Sequence, residues 1–285
     1  MSLIRRIFVR LKAECEWSRL GLYARLYYKR TPLMVYEPPI SGGRNCEFCD
    51  LAVVTFNNSE VVEYQIRTLK KFFKYPFRYT VFDNSTNNDL ATEILTICRK
   101  YSVGYVQLPR QAFLPKGYGS YSHGIACNYL FNNFVRYGGA KYFMLLDHDI
   151  FLTTDFDISR QFDDQFFYGT KHSFYIWPGL WAMPMDVILR HGVDFRPSLH
   201  LHGDTGACNY YHFFKNVDWN KCRLVKDVHC LIDDTDDDIF RNGYSLMDNC
   251  WIHCWNASDY MGKGVDNKMA RIYDMLENIL CQTDK

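Results

Sequence analysis

Two aspartates stand two residues apart inside the apolar run Phe143-Met-Leu-Leu-Asp-His-Asp-Ile-Phe-Leu152. Charge inside such a run is costly unless something compensates it. If the segment is extended, Asp147 and Asp149 share one side and His148 takes the other. Two carboxylates that close repel unless a cation lies beside them. A hard divalent ion with oxygen ligands, Mg2+ or Mn2+, is the natural compensation. The plainer reading is that both aspartates cap a turn after a strand.

Other residues could join them. Asp204 lies in His200-Leu-His-Gly-Asp-Thr205, with His200 and His202 alternating beside it, and His253 lies in Cys250-Trp-Ile-His-Cys254. A lone histidine is more often a hydrogen-bonded structural residue than a ligand, and His123 is read that way on its helix. The run Asp233-Asp-Thr-Asp-Asp-Asp238 has the character of a solvated loop. Cys46-Glu-Phe-Cys49 lacks a second CxxC or a spaced histidine pair, which makes zinc a poor expectation. Trp177, Trp181, Trp251 and Trp255 could present flat apolar faces to a ligand, although each is individually a core candidate.

The elements that must position these groups alternate along the chain. Asp50–Phe56 reads as a strand, and Ser59 as the N-cap of a helix carrying Val62, Ile66, Leu69 and Phe73. Phe77–Phe82 is a second strand, ending at Asp83-Asn84-Ser85, and a helix follows around Ile94 and Ile97. Val103–Leu108 is a third strand, residues 122–136 a helix, and Lys141–Leu146 the strand that delivers Asp147. Strands separated by helices predict βαβ units, a parallel sheet and right-handed crossovers. Ligands of such sheets sit beyond the carboxyl ends of the strands. The polar clusters at Thr55–Asn57, Asp83–Ser85 and Asp147–Asp149 should therefore line one edge.

Composition sets the bounds. A chain of 285 residues can hold one large domain or two small ones. A net charge of +1 gives no overall field for nucleic acid. Eleven cysteines with no apolar leader before them point to reduced thiols in a cytoplasmic protein. No apolar stretch is long enough to span a bilayer. Residues 1–30 differ from the rest: eight Lys/Arg stand against Glu14 and Glu16, with Leu3, Ile7, Leu11, Leu20, Leu22 and Leu26 spaced loosely along one helix face. Two readings follow, a basic amphipathic helix lying on the cytoplasmic face of an anionic membrane or a helix packed on the domain with its basic face in water. Glu37–Gly43 reads as a linker. The division is a basic segment 1–36, a linker 37–49, a nucleotide-binding half 50–150 and an acceptor-binding half 151–285 of one domain.

Together, Leu51–Leu69, Tyr79–Asp89, Ser122–Phe131, Phe143–Leu152, Trp177–Leu189 and His200–Phe213 resemble, in order and spacing, the GT-A glycosyltransferases, closest in style to the large inverting family 2. The resemblance covers half to two-thirds of the chain. It implies a GT-A, Rossmann-like α/β fold with a mostly parallel sheet flanked by helices. It implies transfer of a hexosyl group from a nucleotide-diphosphate sugar, most simply a UDP-sugar, to a hydroxyl of a glycan or lipid-linked acceptor. Residue by residue, it places Thr55 and Asn57 near the nucleotide, Asp83 on the base, Asp147 on the ribose or a metal-bound water, and Asp149 on Mn2+ or Mg2+. His253 would complete the metal shell or touch the diphosphate, and Asp204 would be the general base. Gly203-Asp204-Thr205 departs from the paired acids common in that family, and Asp233 and Asp234 are rival bases. No GxxxxGK[ST] or strand-following GxGxxG is present, which disfavours P-loop and dinucleotide-binding enzymes. A sugar nucleotidyltransferase and a catalytically inactive carbohydrate-binding or scaffolding relative are the alternatives.

Overall fold

The computed structural model describes residues 3–38, 47–111, 114, 118–162, 166–198, 200–257 and 264–282, with backbone alone for residues 3–13. Most of the predicted linker and Cys46 of the CxxC lie outside the described residues.

The core is a run of four parallel strands: β2 (Cys49–Thr55), β3 (Phe77–Asp83), β4 (Gly104–Gln107) and β5 (Tyr142–Asp147), in the spatial order β4-β3-β2-β5. Strand β2 is central and buried along its whole length, and such a strand reads as one unbroken apolar run. A short β1 (Met34–Tyr36) pairs antiparallel outside β4. On the other side, β8 (Tyr175–Pro184) pairs antiparallel with β5, β7 (Phe167–His172) antiparallel with β8, and β9 (Cys222–Leu224) parallel with β7. Residues beyond 151 thus return to the sheet begun by residues 49–147.

Helices cover both faces, as the alternation predicted. Helix α2 (Ser59–Phe72) lays Val62, Ile66 and Leu69 against Leu51 and Val53, together with Ile94 and Cys98 of α3 (Asn88–Lys100). The opposite face, with Ala52, Val54, Phe82 and Val106, takes Ile125 and Tyr129 of α4 (Gly119–Leu130) and Leu20, Ala24 and Tyr27 of α1 (Leu3–Tyr27). The N-cap of α2 is Asn58, whose side chain accepts from the Val61 N–H; Ser59 is the first helical residue and instead donates its hydroxyl to Glu93. Beyond Leu130 the helix predicted over 122–136 widens into a π-turn at Phe131–Val135.

A second sheet, unforeseen in the sequence, orders β10 (Asp227–Leu231), β11 (Gly243–Met247), β12 (Trp251–His253) and β6 (Ile150–Leu152), all antiparallel. It packs through Phe151 and Ile252 on Met269, Ile272 and Leu276 of α8 (Asp266–Cys281). Short helices α5 (Met185–His191), α6 (Asn209–His212) and α7 (Ile239–Asn242) complete the described chain.

Helix α1 corrects part of the membrane reading. From residue 14 onward its inward face is spent on the domain: Leu20, Ala24 and Tyr27 are buried, while Leu22 and Leu26 remain exposed. Among the described residues no helix is long and apolar enough to cross a membrane.

Candidate active site

The parallel register puts the predicted polar tips on one edge. Thr55 pairs with Asp83, and Val54 pairs with Asp147. The two halves of that edge then diverge.

Around Asn57 and Asp83 the polar groups satisfy one another, whereas the buried Thr55 hydroxyl has no hydrogen-bond partner among the described residues. Asp83 is fully buried; it accepts from the Ser85 N–H at 2.8 Å and from the Tyr105 hydroxyl at 2.8 Å. Asn57 has a positive φ of 49°, donates its backbone N–H to the Ser85 hydroxyl, and accepts through Oδ1 from the N–H groups of Thr86 and Asn87. Thr55 is fully buried. These three residues were expected to meet the nucleotide. The structure has Asp83 and Asn57 tie two βα turns together. Phe56, missed as a site residue, is exposed at the same tip.

Around Asp147 the arrangement is opposite. The chain does not stay extended after β5: it turns at His148 and Asp149, then re-enters as β6 in the other sheet. His148 consequently acts on the charges of both Asp147 and His253. Asp149 is buried, and its carbonyl accepts from the Cys254 N–H, which fixes the turn to the end of β12. His253 Nε2 then stands 3.6 Å from Asp149 Oδ1, and His123 Nε2 of α4 stands 3.6 Å from Asp147 Oδ1. Both separations exceed an N–H···O hydrogen bond. Asp204 is exposed at the end of the loop from Ser198, with Oδ1 accepting from the Thr205 N–H at 2.7 Å. It is close enough to Asp147 and His123 to act on both charges.

Burial and mutual repulsion dominate this cluster. The Asp147 carboxyl is pushed up to about 7, first by burial and then by Asp149, with Asp204 adding to it. Burial drives His123 down to about 4 against the pull of Asp204 and Asp149. Burial also lowers His253, again against Asp149. Both imidazoles are thereby neutral near pH 7, the form that binds a metal or shares a proton. A shifted acid beside two shifted imidazoles at a strand edge is the electrostatic mark of a working site.

Two donor atoms on one ion, with bonds of about 2.0–2.2 Å, lie no more than about 4.4 Å apart. Asp149 Oδ1 and His253 Nε2 meet that condition at 3.6 Å. Among the described residues no group of three or more His, Cys, Asp or Glu is assembled for a metal. The chain alone therefore offers a partial shell.

The surroundings explain the motif's neighbours. Gln65 of α2, fully buried, donates from Nε2 to the carbonyls of Asp147 and Ile150, both at 2.8 Å, and accepts from the Tyr79 hydroxyl. It clamps both ends of the acidic turn. A glutamine on the apolar stripe Val61, Val62, Ile66, Leu69 was the available signal, because a buried polar side chain needs partners. Trp177 lies beside His253, ring centroids 5.0 Å apart. A Cβ on Gly179 would meet the Trp177 ring at 2.0 Å, so the glycine two residues on makes room for the indole. Trp181 and Trp251 are fully buried core residues and offer no platform. Of the two rival acids, Asp233 pairs with Arg271 and accepts from Thr235 and Asn242, while Asp234 is exposed; farther along the run Asp236 pairs with Arg241 and Asp238 caps α7. A cleft of about 430 Å3 opens at the opposite, amino-terminal ends of β2–β4 around Asp50 and Arg78, away from this chemistry.

No family profile matches the sequence. No curated protein matches it either. Among solved structures the chain is similar to a mannosyltransferase from Pyrobaculum calidifontis in complex with GDP-Man and Mn2+, at 13% identity over 68% of this chain and 59% of that one, with a TM-score of 0.37. It is also similar to S. aureus TarS, at 14% identity over 53% of this chain and 30% of that one, TM-score 0.36. For TarS residues 1–349 the identity is 15%, the coverage 53% and 50%, and the TM-score 0.36. The chain spans less than two thirds of the length of each.

Proposed function

We propose that the chain is a glycosyltransferase that moves a hexosyl group from a nucleotide-diphosphate sugar to an acceptor hydroxyl with help from a divalent ion. One observation carries this reading: a buried acid, a neutral imidazole 3.6 Å from it, and an exposed second acid converge at the carboxyl end of the central sheet. That is the edge where α/β folds bind ligands.

Asp149 and His253 would hold Mn2+ or Mg2+, with the remaining positions falling to water or ligand oxygens. The ion supplies positive charge beside a departing diphosphate. Gln65 keeps the acidic turn in place. Asp147, its proton affinity raised by its neighbours, would meet a ribose hydroxyl or a metal-bound water, and neutral His123 shares its proton-bearing edge. Phe56 offers the base a flat apolar face at the tip of β2. Trp177 walls the site beside His253. Asp204 is exposed and would take the proton from the acceptor hydroxyl as that oxygen attacks, which inverts the anomeric centre if attack is direct. A UDP-sugar donor and a glycan or lipid-linked acceptor are the partners this reading proposes; membrane contact would rest on Leu22 and Leu26 among the basic residues of α1.

The test is a hydrolysis and binding screen of UDP-, GDP- and dTDP-sugars with Mn2+, with Mg2+ and with EDTA. One donor class should be bound and slowly consumed only when a divalent ion is present. No binding or turnover of any donor with either ion would overturn the reading.

A further inference from the structure

A second cavity, of about 260 Å3, reaches Gly203, the residue before Asp204 in the chain. Its walls come from three places far apart in sequence. Trp17 is contributed by α1; Tyr118, Ser120 and Tyr121 come from the start of α4; Ser198 and His202 come from the loop that ends in Gly203 and Asp204. Trp17 and Tyr121 meet edge to face, with ring centroids 5.6 Å apart. The Tyr118 hydroxyl bonds Glu16, which fastens α1 to α4 at the cavity's rim. His200 faces Glu14 at 4.0 Å, which brings the loop to the same helix.

The loop is fixed against the catalytic acid. Thr205, whose N–H holds the Asp204 carboxylate, donates its hydroxyl to the Ser120 carbonyl at 3.0 Å. Gly203 can take no side chain, because a Cβ would lie 2.4 Å from Ala207 Cβ and 3.0 Å from Phe174. His202 adopts a positive φ of 48°, a conformation rare outside glycine. Backbone held this way near a reacting group is characteristic of functional loops.

We propose that this cavity binds one pyranose ring of the acceptor, with the N-terminal helix as its wall. The proposal rests on the glycosyltransferase reading for the role of Asp204, and it goes beyond that reading by moving part of acceptor recognition from the C-terminal half onto α1. A pyranose has one face of C–H groups and a rim of hydroxyls. The walls supply aromatic rings for the first, and Ser120, Ser198 and His202 are the polar residues available to the second in an otherwise apolar lining. Its volume lies below the roughly 300–1,000 Å3 of pockets that enclose a drug-sized ligand. It therefore suits one ring, with the rest of the acceptor outside. Asp204, the residue after Gly203, then stands where a hydroxyl of the bound ring would need a base.

The experiment uses the full chain and a panel of methyl glycosides of glucose, galactose, mannose and N-acetylglucosamine, read by saturation-transfer NMR without donor. At least one glycoside should receive saturation mainly on one ring face. Trp17→Leu keeps apolar packing against Tyr121 but removes the flat indole, and should weaken that glycoside about tenfold or more. Trp17→Phe should restore most of the affinity. Affinity for the nucleotide sugar, measured in parallel, reports whether each variant is folded. Equal glycoside affinity in wild type and Trp17→Leu, or no glycoside bound by a wild type that turns over donor, overturns the pocket and leaves the donor chemistry standing. Glycoside binding that depends on Trp17 in a chain with no donor turnover keeps the pocket and removes the transferase.

Discussion

The two halves of the sheet edge are built from similar residues and do opposite things. At the tips of β2 and β3, Asp83, Ser85 and Asn57 are closed into a network in which donors meet acceptors at 2.8–3.1 Å. At the tip of β5 and in the turn after it, Asp147, Asp149, His123 and His253 stand in pairs at 3.6 Å, and the Asp147 carboxyl is pushed up to about 7 by burial and then by repulsion from Asp149. The first arrangement spends its polar groups on the fold. The second keeps them unspent, at an electrostatic penalty that a proton, a cation or a ligand relieves. Residue type alone does not separate the two; the partners do.

Substitutions can break this comparison. The largest effect belongs to Asp204→Asn, which should leave donor binding intact and lower transfer to the acceptor by about 10²–10⁴-fold, measured as single-turnover rates. Next, Gln65→Leu removes the clamp on both ends of the acidic turn. It should weaken the apparent Mn2+ affinity by about 10–100-fold, as loss of outer supports does at metal sites, and a metal titration of turnover would read this.

Paired alanine variants sharpen the contrast in stability. Asp83→Ala removes the acceptor of the Ser85 N–H and leaves the buried Tyr105 hydroxyl only the longer bond to the Ala91 carbonyl at 3.3 Å, and should lower unfolding free energy by about 1–3 kcal/mol in urea melts. Asp147→Ala in EDTA should lower it not at all. The sign follows from linkage: the folded Asp147 carboxyl holds its proton up to about 7, whereas the unfolded one releases it near 3.8. Stability therefore declines as pH rises through that window. The alanine variant escapes the decline, and the gap between the two proteins should widen from pH 4 to pH 7.

The smallest effect lies outside both regions. Arg67 of α2 holds Glu277 of α8 through two hydrogen bonds, with Tyr64 adding a third to the same carboxylate. The Glu277 carboxyl is lowered to about 2, chiefly by Arg67. Its contribution is present above the ordinary value of 4.5 and lost as pH falls toward 2. Because the pair is partly exposed, Glu277→Gln should cost roughly 0.2–1 kcal/mol at pH 7 and flatten the acid limb of the stability curve.

Much of this organisation was legible in the sequence, and the reason is periodicity. The strands β2 to β5 are buried apolar runs, and α2 and α3 repeat apolar residues at helical spacing, so the parallel core and its polar tips could be read directly. The second sheet could not. Strands β6 and β12 are three residues long, too short to show alternation, and β10 keeps most of its residues exposed. Missing that sheet led to the extended reading of residues 147–149, whereas the chain turns there to join β6. Among site residues, Asp147, Asp149, His253 and Asp204 do converge. His123 was read as structural because a helix position gives no hint of which strand tip it will face. Thr55 and Asp83 are placed at a nucleotide by resemblance alone; their burial and the Tyr105 partner are properties of the packing, which no local pattern reveals.

The central claim is that Asp149 holds a divalent ion for a nucleotide sugar. Calorimetry of the donor identified by the screen, with Mn2+ and with EDTA, on wild type and on Asp149→Ala tests it most directly. The account predicts Mn2+-dependent binding in wild type and, in the variant, affinity reduced to the metal-free level at an unchanged melting temperature. Donor binding indifferent to Mn2+ in wild type, or fully Mn2+-dependent binding retained in Asp149→Ala, would contradict it.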